Sequence, residues 1–327
     1  MIKVLMLIPD NPFDSTNGAA RSVRTICEML AGEPDFNVKA MATGSHALDP
    51  SGYSVLFTYG QSPVDRMRRD AARRAGCKVV FALRNSNYME PGLLEPMDGI
   101  LTPSQWLTDQ YRKIGIESTP LPLPMNLEDV VSLEHYPVYI TMVNLAVHKG
   151  RMLMVTLLNE VYRRRPDIPF LIVRSNAPAM PVPPNAIYLA NQPFPRDIFA
   201  QTKILLVPSV FEEPGGRVAV EALLNGVPPI VSDRGALPEV VNGAGFVVHI
   251  PKEITIETDK PVPVEAVESW IDAIVRLWDG PDFYADASAE AKDAAVMYGP
   301  SVLAPMYAEY FRSIVTSAPP SESKESQ

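Results

Sequence analysis

The chain has 327 residues, more than one ordinary hydrophobic core accommodates, so two domains are expected. Its 46% hydrophobic content and mean hydropathy near zero describe a globular protein, and its formal net charge of −9 argues against a general nucleic-acid coat. The longest apolar runs fall well short of the roughly eighteen residues a membrane span needs. Cys27 and Cys77 are too few to make a metal site by themselves and read as reduced thiols of a cytoplasmic protein.

In chain order, the first half alternates short apolar strands with helical patterns. Strands are expected at 3–8, 38–42, 54–58, 78–83 and 99–101, and helices at 19–30, 64–74 and 104–114. The opening run is interrupted by Lys3 and ended by Pro9, so it reads as a first buried strand rather than a signal peptide. Pro120-Leu-Pro-Leu-Pro124 then breaks the pattern, because proline fixes the backbone and blocks helix. It is expected to be a stiff linker between domains. The second half repeats the alternation, with strands at 138–143, 170–173, 186–189, 204–207, 229–231 and 246–250 and helices at 151–164, 195–200, 216–225 and 265–278. Further helices are expected at 282–297 and 301–315, and 317–327, rich in Ser, Pro and Glu, is expected to be disordered. Alternation of this kind predicts an α/β fold of two doubly wound parallel sheets, with ligands bound beyond their strand ends.

The chemistry concentrates after the strand at 204–207. Glu213-Pro-Gly-Gly-Arg-Val-Ala-Val-Glu221 reads as strand, glycine loop, helix. Gly215 and Gly216 let backbone approach a ligand, and a helix starting near Gly216 turns its unpaired N–H groups toward an anion. Earlier in the same half, Val143-Asn-Leu-Ala-Val-His-Lys149-Gly150 joins a strand to a helix.

The stretch from Pro208 to Glu239, with its Pro-Ser, its two glutamates, Asn225-Gly-Val-Pro and Leu237-Pro-Glu, resembles the nucleotide-sugar site of retaining GT-B glycosyltransferases of family 4. The resemblance is strong over 104–300 and weak before it. It implies a GT-B fold of two Rossmann-like domains with an interdomain cleft. The expected limits are 1–122 for the acceptor-side domain, 123–298 for the donor-side domain, 299–316 for a helix crossing back to the first domain, and 317–327 for the tail. It implies transfer of a sugar from a nucleotide diphosphate sugar to an acceptor hydroxyl with retention, without a metal or other cofactor. Glu213 would hold the donor sugar and Glu221 the ribose, with the Gly215 and Gly216 amides orienting the sugar.

The other expected contacts follow the same resemblance. Lys149 matches the lysine of the family's diphosphate loop, usually Gly-Arg, four residues, then Lys-Gly; it would neutralise the leaving diphosphate. Asn144 stands where the family usually has arginine, which weakens the cationic clamp unless Arg217 or another cation reaches in. Asn17-Gly18-Ala-Ala-Arg21 resembles the glycine-rich first loop, with Gly18 and Arg21 as clear matches, and reads equally well as a plain strand-to-helix turn. Near 81–88 many relatives carry a histidine that contacts the sugar. His46, His135, His148 and His249 all lie elsewhere, leaving Arg84, Asn85 and Asn87 as polar groups there. Either an asparagine replaces the histidine or the donor lacks an ordinary 6-hydroxyl. The four histidines have no metal-binding spacing. Five arginines within 66–74 make a basic helix, read first as a solvated face and second as a peripheral membrane contact. The acceptor stays open among glycan, lipid, small molecule, protein and nucleic acid. Two other functions stay open as well: a non-catalytic GT-B nucleotide-binding module and a nucleotide-sugar epimerase.

Overall fold

In a computed structural model, the structure describes residues 1–8, 18–42, 49–90, 94, 97–174 and 178–317. Asn17 of the first loop, His46, and the expected tail from Ala318 onward lie outside the described residues. In chain order the first elements are β1 (Ile2–Ile8), α1 (Gly18–Ala31), β2 (Phe36–Ala42), β3 (Val55–Thr58), α2 (Pro63–Arg74), β4 (Lys78–Ala82), β5 (Gly99–Thr102), α3 (Gln105–Arg112) and β6 (Thr119–Pro120). Next come α4 (Leu127–Val130), β7 (Tyr139–Val143), α5 (Arg151–Arg164), β8 (Phe170–Val173), β9 (Ala186–Leu189), α6 (Pro195–Phe199) and β10 (Thr202–Val207). The remaining elements are α7 (Arg217–Leu224), β11 (Pro229–Ser232), α8 (Leu237–Val241), β12 (Phe246–Val248), α9 (Glu268–Asp279), α10 (Pro281–Ala295) and α11 (Pro300–Thr316).

The chain divides into two compact units: Met1–Asn126 together with the stretch from Tyr298, and Leu127–Met297. In the first unit the strand order is β2-β1-β3-β4-β5-β6, all pairs parallel. Helices cover both faces, so strands such as β3 are buried at every residue and read as continuous apolar runs. The helix starts follow local chemistry. At α2, Ser62 Oγ accepts from Asp65 N, Asp65 Oδ2 accepts from Ser62 N, and Pro63 holds the first helical position. At α3, Ser104 Oγ accepts from Leu107 N at 3.1 Å. Helix α11 packs on this unit: Leu303, Tyr307, Phe311 and Ile314 join Val4, Ile26 and Phe57 in one core. Arg312 bonds Asp35 and Glu33 beside β2.

The proline run corrects an expectation. Thr119–Pro120 pairs with β5 as an edge strand, Leu121 and Met125 are buried, and the Tyr307 hydroxyl donates to Pro122 O. An edge strand tolerates proline because one side of its backbone has no ladder to complete. The stretch 120–124 is therefore packed structure of the first unit rather than a linker, and the division falls between Asn126 and Leu127.

In the second unit the order is β12-β11-β10-β7-β8-β9, again all parallel. The chain builds outward from β7 through β8 to β9. It then returns to β7's other side with β10 and builds outward again. The order therefore reverses between β7 and β10, and in such sheets ligands bind outside the carboxyl ends at that reversal. The core beneath includes Ile140, Phe170, Ile204, Ile230 and the fully buried Trp270, with Trp278 half-buried against it. The expected helix at 265–278 is two pieces, a 3-10 turn at Val264–Val267 followed by α9. At the end of α5, Arg164 and Arg165 pair with Glu268 and Asp279 of α9.

Candidate active site

Because β7 and β10 are neighbours, the segments that follow them, 144–150 and 208–216, emerge side by side. Backbone and side-chain contacts join them. Val210 N donates to His148 O at 3.1 Å. Lys149 Nζ donates to Glu213 Oε1 at 2.5 Å. A Cβ on Gly150 would stand 1.9 Å from Pro208 O, so the two backbones meet where only glycine fits, and Gly150 has φ 87. The structure thus brings Lys149 and Glu213, 64 residues apart in sequence, into direct contact at the sheet's switch point.

Glu213 is 7% exposed and held on several sides. Its Oε1 accepts from the Ser209 hydroxyl as well as from Lys149, and the Ser232 hydroxyl in turn donates to Ser209 O. Its backbone bridges Gly235, and its carbonyl accepts from Ala236 N at 2.7 Å. Glu212 accepts from Gly235 N. Ser209 and Ser232 are fully buried, so their hydroxyls need the partners they have. Sequence reasoning passed over both serines as site residues. The Pro-Ser pair was the available signal for Ser209, and the contact that gives it a purpose comes only with the turn back from 209 to 213.

Helix α7 begins at Gly216, which caps it in a left-handed conformation (φ 47). A Cβ there would stand 3.0 Å from Leu237 of α8. The expectation gave this glycine to ligand approach; backbone conformation and the contact with α8 already require it. Gly215 precedes the cap. On α7, Arg217 Nε bonds Glu221 Oε1 at 2.9 Å, and Glu221 is 8% exposed. Arg217 thus lies on the helix's first turn with its guanidinium against the second motif glutamate. Asn225 anchors the helix end by donating to Glu221 O and Val130 O.

Asn144 has φ 69, and its N–H donates to Val173 O. Asparagine tolerates left-handed backbone better than most residues, which is a physical reason for its presence at this turn. His148, not proposed from the sequence as a site residue, stands edge-to-face with Phe211 at 5.9 Å, and Lys149 Nζ lies 5.8 Å from the same ring. Burial, then the Lys149 charge, holds the His148 imidazole below its ordinary value, with Glu213 pulling the other way. A second pair sits one loop further: His249 Nδ1 against Asp233 Oδ2 at 2.5 Å, following β12 and β11.

Gly18 and Asn87 belong to the first unit. Gly18 opens α1, and its carbonyl accepts from the Ser22 hydroxyl. Asn87 is exposed, with its N–H donating to Asn85 Oδ1, an ordinary turn contact. The basic helix α2 has fewer uncommitted arginines than its sequence suggests. Arg69 is buried and donates to Gly60 O and Gln61 Oε1. Arg68 and Arg73 pair with Asp65 and Asp70. Arg66 and Arg74 are exposed, as are Val64 and Met67. Among the described residues no group of three His, Cys, Asp or Glu side chains is placed to hold a metal ion, and no helix is long and apolar enough to cross a membrane.

Residues 131–258, which contain both loops and α7, match the family model described as glycosyl transferases group 1. No curated protein matches the sequence. Solved structures similar over nearly the whole chain include a glycosyltransferase from Rickettsia africae ESF-5, with a TM-score of 0.70 and 14% identity over 97% of this chain and 99% of that one. Sucrose-phosphate synthase from Thermosynechococcus elongatus gives a TM-score of 0.72 and 14% identity over 97% of this chain and 100% of that one. Anabaena HepE, solved in complex with UDP-glucose, gives 0.68 and 14% over 96% and 100%. At these identities the likeness establishes the fold, which is GT-B. With the group 1 domain in its second unit, the chain is a GT-B glycosyltransferase.

Proposed function

We propose that the chain moves a sugar from a nucleotide diphosphate sugar to an acceptor hydroxyl, with retention at the anomeric carbon and without a metal. The observation that carries this reading is the Lys149–Glu213 pair at the carboxyl-end switch point of a group 1 glycosyltransferase domain. The N-terminus of α7 follows within four residues of Glu213.

In this reading Glu213 orients the sugar through its hydroxyls, and Glu221 selects ribose. Lys149, Arg217 and the α7 N-terminus receive the charge of the departing diphosphate. The bond between the anomeric carbon and the diphosphate oxygen breaks with its electrons going to phosphate. The acceptor oxygen takes that place, and its proton leaves with the phosphate. Lys149 and Arg217 supply the positive charge that a metal would otherwise supply, and alignment of the two reactants contributes the rest of the acceleration. HepE is solved with UDP-glucose, which makes a UDP-sugar the first donor to try.

The first unit takes the acceptor side in this reading, with Gly18 and Asn87 as donor or acceptor contacts. The exposed Arg66, Arg74, Val64 and Met67 of α2 offer an anionic membrane surface a peripheral contact. The free, buried Cys27 and Cys77 suit a reducing compartment such as the cytoplasm.

Thermal unfolding with UDP, GDP, ADP and TDP in chelator tests the donor site. A nucleotide at one hundred times its Kd adds about 2.7 kcal/mol. One of the four should raise the Tm of the wild type and leave Glu221→Ala unmoved. Equal stabilisation of both proteins would refute the ribose assignment, and no stabilisation by these nucleotides or their sugar forms would favour a GT-B module that has lost the donor.

A further inference from the structure

His148 is the one histidine placed beside the Lys149–Glu213 contact among the described residues. It occupies the 3-10 turn Val147–Lys149, immediately before Lys149. Its carbonyl is fixed by Val210 N, and its ring meets Phe211 edge-on. The Lys149 ammonium lies against that same phenyl ring. An imidazole and an ammonium therefore flank one aromatic side chain just after β7, and His148 lies partly desolvated at the surface. The charged groups facing it are Lys149, from its own turn, and Glu213, from the neighbouring segment.

We infer that His148 is a further contact of the donor's diphosphate, and that the diphosphate binds together with a proton taken up on His148. The inference rests on the reading of Lys149 and Glu213 given above and adds to it a titrating cation. Partial desolvation and the Lys149 charge hold the free imidazole below its ordinary value. A diphosphate within about 4–6 Å reverses that balance, since a nearby opposite charge favours the charged form by about one pKa unit or more. The same turn then offers two cations to the diphosphate, which fits the absence of an arginine at Asn144. The sign follows from linkage: His148 binds its proton more tightly in the complex than in the free protein, so affinity rises as pH falls through the imidazole range. A shift of one unit corresponds to about a tenfold gain in affinity.

The test is isothermal calorimetry of the full chain with UDP, GDP, ADP and TDP, in chelator, at pH 6.5, in two buffers of different ionisation heat. Wild type is compared with His148→Gln and His148→Lys. The nucleotide's own terminal phosphate titrates in this range, so the readout is the difference between variants. Wild type should take up a larger fraction of a proton than either variant. Its affinity should rise up to about tenfold more than that of His148→Gln between pH 8 and pH 5.5. His148→Lys, charged throughout, should bind at pH 8 at least as tightly as wild type at pH 5.5. Equal proton uptake and equal pH slopes in wild type and His148→Gln would overturn this inference and leave the donor site standing. Failure of all three proteins to bind any of the four nucleotides would overturn the donor site itself, and this inference with it.

Discussion

Glu213 accepts two hydrogen bonds on one oxygen, from Lys149 and from Ser209, and this sharing sets up a competition. A diphosphate that engages Lys149 must draw the ammonium from the carboxylate. Glu213→Gln keeps the side chain's shape and its contact with Ser209 but removes the charge that holds Lys149. We therefore expect Glu213→Gln to bind the nucleoside diphosphate several-fold more tightly than wild type. Transfer should fall, because the sugar loses a charge-assisted hydrogen bond worth about 1.5–3 kcal/mol, or roughly 10- to 150-fold in rate. Calorimetry and initial rates on the same preparation measure both, and a weakened nucleotide affinity would sink the competition. At this scale the residues of two ion pairs, Lys149 with Glu213 and Arg217 with Glu221, are all named from short motifs of the sequence. His148 is not, because nothing near it in sequence tells of Phe211, which lies 63 positions on and becomes a neighbour only when β10 pairs with β7.

Among elements, the two segments after β7 and β10 stay in register because their backbones touch at Gly150 and Pro208. Gly150→Ala puts a Cβ 1.9 Å from a carbonyl oxygen on left-handed backbone. Left-handed backbone alone costs a non-glycine residue about 1–2 kcal/mol. Gly243, with φ 83 and nothing within 4 Å of its Cβ position, isolates that cost. Gly150→Ala should therefore lower the Tm clearly more than Gly243→Ala, and it should also weaken nucleotide stabilisation, since the displaced loop carries Lys149. Equal Tm losses in the two variants would show that the backbone contact is slack. The long periodic elements were readable: α1, α5 and α9 and the apolar strands lie within a few residues of their expected limits. β6, α4 and α8 were missed for a common reason. They span 2, 4 and 5 residues, too few to show a period, and β6 and α8 contain prolines that read as breaks.

Across the whole molecule the two units differ in how the chain builds them. Leu127–Met297 is continuous and carries its own sheet, its own core around Trp270, and Lys149, Glu213, Arg217 and Glu221 together. The first unit is discontinuous, since it needs α11 from the far end of the chain. Leu303, Tyr307, Phe311 and Ile314 are all at most 7% exposed. At about 1.5–3 kcal/mol for each large apolar side chain, their burial contributes roughly 6–12 kcal/mol, as much as a domain's entire net stability of about 5–15 kcal/mol. Arg312 adds its bonds to Asp35 and Glu33 beside β2. The division follows the packing of Leu121 and Met125, which no proline count reveals: their burial in the first unit moves the break past the proline run. Residues 127–297 expressed alone should therefore unfold cooperatively and be stabilised by the same nucleotide as the full chain. Residues 1–126 alone should show no cooperative transition, and joining 298–317 to them through a flexible linker should restore one. Cooperative unfolding of 1–126 by itself would mean that α11 only covers a core already complete, and the estimate of its contribution would have to fall accordingly.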